Sequence, residues 1–378
     1  MAKPKILFLV ESLNVGGAEK ALISLLNLLD YSQFDISLML ISESGTFLND
    51  ISNLKHLKRK SIIKPTHNKL QQVINSLKIK AVYKWLPTNW IGNYLCNGYD
   101  TVIAFCEGYL TKWVAAASID CKKIAWVHTD MVTNDWPVKT GIFASSTQEM
   151  AAYHKFSNVI AVSENVAQGL RNIFNLENVF TIYNIIDPDI IKKSLTPHTL
   201  TPKNRLNLVS VGRLEPIKGY HNLIESLNIL VNNKKLDISL CLVGDGKQRN
   251  ELENAVDKYA LREYVHFAGS QSNPYPYIAA ADAYICTSLK EGFNIAILEA
   301  MTLGKPIIAT NSAGPEEILN KGEYGILIEN GISEIVDAIT NIYMNPEVLK
   351  HLSNHSIQRS KTFGTENQLR KFTSIIDN

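Results

Sequence analysis

Glu291 and Glu299 stand eight positions apart in Lys290-Glu291-Gly292-Phe293-Asn294-Ile295-Ala296-Ile297-Leu298-Glu299. One carboxylate falls at a glycine turn and the other two turns into the helix that follows. Carboxylates accept hydrogen bonds from sugar hydroxyls, so such a pair can hold two sugar rings. The same spacing also fits a glutamate favoured by a helix dipole and a second, solvated one. Arg213 and Lys218 share one loop after an apolar run in Val211-Gly212-Arg213-Leu214-Glu215-Pro216-Ile217-Lys218-Gly219. A guanidinium fork and an ammonium together suit a diphosphate, and read alone they are equally two surface charges. Gly16 and Gly17 lie where a strand runs into a helix, so backbone N–H groups there can approach an anion. A tight turn would need the same glycines. No GxGxxG and no GxxxxGK[ST] is present, which sets aside dinucleotide-dependent dehydrogenases and P-loop nucleotidases. Asp187-Pro188-Asp189 is formally an Asp-x-Asp pair but reads as turn chemistry. No His, Asp or Glu cluster has ligand spacing, so neither an obligatory metal nor another cofactor is expected.

These loops need strands before them and helices after. Apolar runs at 5–10, 35–41, 101–105, 123–127, 159–162 and 179–182 predict strands buried on both faces, with helical patterns between them. A Pro- and Ser/Thr-containing stretch at 188–204 predicts a linker. The alternation restarts with strands at 207–211, 239–243, 284–286 and 306–309. The expected fold class is α/β, with two Rossmann-like domains over 1–187 and 205–360.

With 46% hydrophobic and 20% charged residues, the composition excludes fibrous and low-complexity classes. No apolar run reaches the roughly 18 residues of a membrane span. Only five apolar residues precede Glu11, which predicts a first strand rather than a secretion signal. Five widely spaced cysteines without a CxxC pair point to a reducing, cytosolic compartment. Charge is unevenly placed. Residues 51–99 hold nine Lys or Arg (Lys55, Lys58, Arg59, Lys60, Lys64, Lys69, Lys78, Lys80 and Lys84) and no Asp or Glu. Within them Leu70, Val73, Ile74, Leu77, Ala81 and Trp85 recur at helical spacing. A basic amphipathic helix ending in tryptophan suits an anionic membrane surface. It suits equally a solvated face whose apolar stripe packs on the domain's own core. No nucleic-acid motif accompanies it, so no nucleic-acid partner is expected.

Taken together, Gly16-Gly17-Ala18-Glu19-Lys20, Val211-Gly212-Arg213-Leu214, Lys218-Gly219, Gly244-Asp245-Gly246 and Glu291-Gly292-Phe293 with Glu299-Ala300-Met301 resemble the bacterial members of glycosyltransferase family 4. The resemblance spans nearly the whole chain. It implies the GT-B fold: an N-terminal acceptor-binding domain and a C-terminal nucleotide-sugar-binding domain facing a central cleft. A C-terminal helix, 361–378, would return to the first domain. It implies transfer of a hexose or N-acetylhexosamine with retained configuration. Arg213 and Lys218 would bind the donor diphosphate, Glu299 the ribose and Glu291 the transferred sugar. The backbone at Gly16 and Gly17 would face the diphosphate, and the loops at Gly244 and Gln271 the base. His128, in Trp126-Val127-His128-Thr129-Asp130, would lie near the reacting centre or serve as a structural histidine. Ser163 can line the site or cap the next helix. Asn294 stands where the family often has glycine. The implied partners are a nucleotide-sugar, with UDP favoured, and a saccharide acceptor, including an undecaprenyl-linked one. The implied place is the cytoplasmic face of the cell membrane, in surface polysaccharide synthesis. Rival expectations are a nucleotide-sugar 2-epimerase on the same fold and a non-catalytic nucleotide-sugar-binding protein.

Overall fold

Continuous apolar runs become central strands, because only a strand covered on both faces can bury every side chain in turn. The computed structural model describes residues 2–14, 16–198, 200 and 205–377. It forms two compact units, Met1–Ile185 with Glu366–Asn378, and Ile186–Thr365.

In the first unit, β1 (Lys5–Val10), β2 (Asp35–Ser42), β3 (Lys58–Ile63), β4 (Thr101–Ala104), β5 (Lys122–Val127), β6 (Asn158–Ala161) and β7 (Val179–Thr181) make one sheet. All neighbours are parallel, in the order β3-β2-β1-β4-β5-β6-β7. Alternate residues feed opposite faces. Leu7, Leu9, Val102, Ala104, Ala125 and Val127 join one core with Trp113 and Tyr153. Phe8 and Trp126 meet Phe372 of the last helix, Thr365–Asp377, at ring-centroid distances of 6.0 and 5.7 Å. That helix is tied further to the unit. Tyr183 N donates to Gln368 Oε1 at 3.1 Å, and Lys122 Nζ donates to the Ile375 carbonyl.

The second unit holds β8 (Leu206–Val211), β9 (Ile238–Val243), β10 (Val265–Gly269), β11 (Ala283–Cys286), β12 (Ile307–Thr310) and β13 (Ile326–Ile328). They are again parallel, in the order β10-β9-β8-β11-β12-β13. In each sheet the order reverses beside the first strand, between β1 and β4 and between β8 and β11. Doubly wound sheets bind ligands at the carboxyl ends of the strands flanking such a switch point.

The structure adds three strands to the sequence expectation, β3, β10 and β13. The anticipated linker also starts as a helix, Pro188–Lys193. Its N-cap is Asp187, whose Oδ1 accepts from the N–H groups of Asp189 (2.9 Å) and Ile190 (3.1 Å). Proline in the first helical turn loses no hydrogen bond, so Asp187-Pro188-Asp189 is a capping sequence. Residues 199 and 201–204 of the anticipated linker lie outside the described residues.

Candidate functional site

The loops after β8 and β11 flank the switch point of the second unit and are stitched together. Thr287 Oγ1 donates to the Lys218 carbonyl at 2.9 Å, and Leu289 N to the Ile217 carbonyl at 2.8 Å. Gly219 makes the close approach possible. Its φ is +67°, and a Cβ there would sit 2.1 Å from the Thr287 carbonyl oxygen. Gly244, after β9, has φ +146° and would bring a Cβ within 2.0 Å of the Gly212 carbonyl oxygen. The consequence is that Lys218 and Glu291, 73 residues apart, form an ion pair through Nζ and Oε1. Their side chains are 19% and 13% exposed. Burial alone would lower the Lys218 pKa, but Glu291 beside it holds the ammonium above its ordinary value. Lys218 is therefore charged at neutral pH. Asn294 Nδ2 also donates to Glu291 Oε1, at 3.2 Å, and Gly314 N donates to the Glu291 carbonyl at 3.0 Å. Arg213, in the same loop as Lys218, is exposed and makes no side-chain ion pair among the described residues. One cation is thus anchored and the other is available.

Glu299 sits on the helix Ile295–Thr302 and is only 2% exposed, accepting from the Tyr275 hydroxyl at 3.2 Å. The two glutamates of the motif therefore differ in access, which spacing alone does not reveal. Gln271 turns back onto its own loop, its Nε2 donating to the Ala268 carbonyl at 2.7 Å.

In the first unit the loop after β1 leads to Gly16, the N-cap of the helix Gly17–Leu28. Val15, within that loop, lies outside the described residues. Across the switch point Glu107 follows β4. It is buried, and its Oε1 accepts from the N–H groups of His128 (2.5 Å) and Thr129 (2.6 Å). Burial raises its carboxyl pKa against the pull of these bonds. Both His128 ring nitrogens are covered and have no hydrogen-bond partner among the described residues. Burial lowers the His128 pKa to about 3, so the ring is neutral at physiological pH. The ring lies beside Phe105 and stacks on Trp126. Glu107 was not among the residues singled out from sequence. A lone acid directly after an apolar strand and before Gly108, whose φ is +92°, was the available signal. Ser163 caps its helix, its Oγ accepting from Val166 N at 3.2 Å.

The basic segment divides into three parts. Lys55 lies in a turn. Lys58, Arg59 and Lys60 are on the edge strand β3, where Lys58 pairs with Asp35 at 2.5 Å and Lys60 donates to the Tyr99 hydroxyl at 3.1 Å. Lys69 and Lys80 bound the helix Lys69–Lys80, and Lys84 and Trp85 lie on its continuation, Ala81–Trp85. That helix buries no residue. Leu70 is 71% exposed, Leu77 48% and Trp85 62%. The packing of this stripe on the domain core, one of the two readings of the sequence, is not what the structure shows. Trp90 and Tyr94 of the next helix, Thr88–Cys96, are exposed too and stack on each other. Among the described residues no helix is long and apolar enough to cross a membrane. Nor is any group of three or more His, Cys, Asp or Glu placed to hold a metal.

Residues 192–359 match the family model described as glycosyl transferases group 1. The two parallel-sheet, Rossmann-like units share the fold of solved glycosyltransferases of GT-B architecture. Among curated proteins, an uncharacterized glycosyltransferase of Haemophilus influenzae is 24% identical over 98% of both chains. The Campylobacter jejuni N-acetylgalactosamine-N,N'-diacetylbacillosaminyl-diphospho-undecaprenol 4-alpha-N-acetylgalactosaminyltransferase is 24% identical over 95% of each. Among solved structures, Anabaena HepE in complex with UDP-glucose superposes with a TM-score of 0.76 at 20% identity, covering 99% of both chains.

Proposed function

We propose that this protein transfers a hexose or N-acetylhexosamine from a UDP-sugar, with retention, to a saccharide acceptor carried on an undecaprenyl-type lipid. The observation that carries the reading is the meeting of Lys218 and Glu291 at the switch point of the second unit, with Arg213 exposed in the same loop and in no side-chain ion pair among the described residues. A cation pair beside a carboxylate matches the two ends of a nucleotide-sugar, diphosphate and hydroxylated ring. The HepE complex with UDP-glucose supports the donor class, and the name of the Campylobacter relative supports a lipid diphosphate acceptor.

Breaking the sugar–phosphate bond moves negative charge onto the departing diphosphate. Arg213 and Lys218 stabilise that charge. Glu291 holds the ring through its hydroxyls. Retention follows from attack on the face the diphosphate leaves, with a phosphate oxygen taking the acceptor's proton. The exposed Leu70, Leu77 and Trp85, flanked by lysines, would hold the protein on the anionic face of the cell membrane where a lipid-linked acceptor resides. No metal or other cofactor takes part in this scheme.

Calorimetric titration with UDP, GDP and ADP tests the donor reading. UDP is expected to bind selectively, and Arg213→Ala to weaken it by about tenfold or more, the scale of one charge-assisted contact. Glu291→Ala is expected to leave UDP affinity nearly unchanged while lowering transfer by about a hundredfold or more. If no nucleotide binds, the reading fails. If Glu291→Ala loses UDP in step with activity, its assignment to the sugar fails.

A further inference from the structure

Glu291 has two carboxylate oxygens, and the protein uses them unequally. Oε1 accepts from Lys218 Nζ and from Asn294 Nδ2, the latter at 3.2 Å. Oε2 takes no hydrogen bond from any described residue. Asn294 is itself held from three sides. It is buried, its Oδ1 accepts from Ile297 N at 3.1 Å as the N-cap of the helix Ile295–Thr302, and its Nδ2 also lies 3.3 Å from Cys286 Sγ at the end of β11. The amide therefore has a fixed orientation, with the oxygen toward the helix and the nitrogen toward Glu291. A free carboxylate rotates about its last bond and presents either oxygen. Two donors converging on Oε1, one of them locked by a helix cap, remove that freedom.

We infer that Asn294 is a positioning residue that fixes the Glu291 carboxylate so that Oε2 alone is offered to a hydroxyl of the donor sugar. This rests on the reading of Glu291 as the sugar contact and adds to it which oxygen is used and what aims it. A residue without a side-chain donor at position 294 would leave the carboxylate free to turn about its last bond, with Lys218 still held in its own loop.

Two substitutions separate this role from simple helix capping. Asn294→Asp keeps a good N-cap but replaces the donor with a like charge facing Glu291. Asn294→Ala loses both cap and donor but adds no repulsion. A purely structural Asn294 predicts that the Asp variant resembles wild type and the Ala variant is the worse. The positioning role predicts the reverse order in function. Asp should melt at or above the temperature of Ala, yet lose more of the sugar contribution to binding.

That contribution is read by calorimetry as the ratio of UDP affinity to the affinities for UDP-glucose and UDP-N-acetylglucosamine. UDP affinity itself should stay within about threefold in both variants, while the sugar increment falls by about tenfold or more in Asn294→Asp. An unchanged increment in Asn294→Asp overturns the inference. Crystal structures of wild type and Asn294→Asp without ligand provide an arm that needs no donor. The Glu291 carboxylate should keep Oε1 on Lys218 in wild type and swing from that position in the variant. An unmoved carboxylate refutes the positioning role even if no nucleotide binds, an outcome that would by itself sink only the donor reading.

Discussion

A carboxyl group buried among other acids gives up its proton late. Glu149 is 1% exposed on the helix Ser146–Tyr153, and one of its oxygens has no partner among the described residues. Burial, with the charges of Glu107 and Asp135, pushes its pKa up to about 7 from the ordinary 4.5. Between those values the folded chain holds a proton that the unfolded chain has released. The stability Glu149 contributes is therefore complete below pH 4.5 and is lost as pH rises through about 7. Glu149→Gln stays neutral throughout. It should flatten the fall in melting temperature across that window and exceed wild type at pH 8 by on the order of 2–3 kcal/mol. Parallel melting curves against pH for the two proteins would show that the carboxyl titrates normally. His128 has the opposite sign, since burial holds it neutral down to about pH 3. An activity profile between pH 5 and 8 therefore reports other groups.

The loop after β8 and the basic helix carry the element-scale expectations. Gly219→Ala puts a methyl group against the Thr287 carbonyl at a positive φ, where neither the strain nor the contact can relax cheaply. A loss of about 2 kcal/mol or more is expected in denaturant unfolding, together with weakened UDP binding if the proposed function holds, because the same contact fixes the backbone of the loop that bears Arg213 and Lys218. A fully stable variant would mean the loops can part without cost. For the helix Lys69–Lys80 and its continuation, each lysine near an anionic leaflet is worth roughly 1 kcal/mol. Replacing Lys69, Lys80 and Lys84 by Ala should cut sedimentation with phosphatidylglycerol vesicles by more than about tenfold, with little effect on vesicles of neutral lipid. Equal binding by variant and wild type would leave the exposed apolar stripe to some other partner.

On the scale of the whole molecule, the chain completes its first unit with its last residues. Phe372 is fully buried against Phe8 and Trp126, so the N-terminal sheet lacks part of its cover until the helix Thr365–Asp377 is made. Phe372→Ala should cost about 3–5 kcal/mol, the usual price of a buried aromatic. The loss should fall on the unit of residues 1–185, which calorimetry would show as one transition moving down while a second, from residues 186–365, stays. A uniform shift of the whole endotherm would instead mean that the two units unfold together.

Much of this was legible in the sequence, because burial on both faces writes itself as an unbroken apolar run and a close-packed loop after a strand needs glycine at its turn. Ten of the thirteen strands among the described residues, the α/β class and the loops bearing Arg213, Lys218 and Glu291 follow from that. The three strands that escaped, β3, β10 and β13, are all at sheet edges. An edge strand has one neighbour and a wetter face, so it can carry Lys58-Arg59-Lys60 and still pair. Spacing could suggest a sugar-binding pair of glutamates, but not that Glu299 is enclosed with Tyr275 while Glu291 keeps an open oxygen. Nor could it decide whether the stripe from Leu70 to Trp85 was covered. Periodicity states which residues share a face, and only the packed chain states what, if anything, lies against that face.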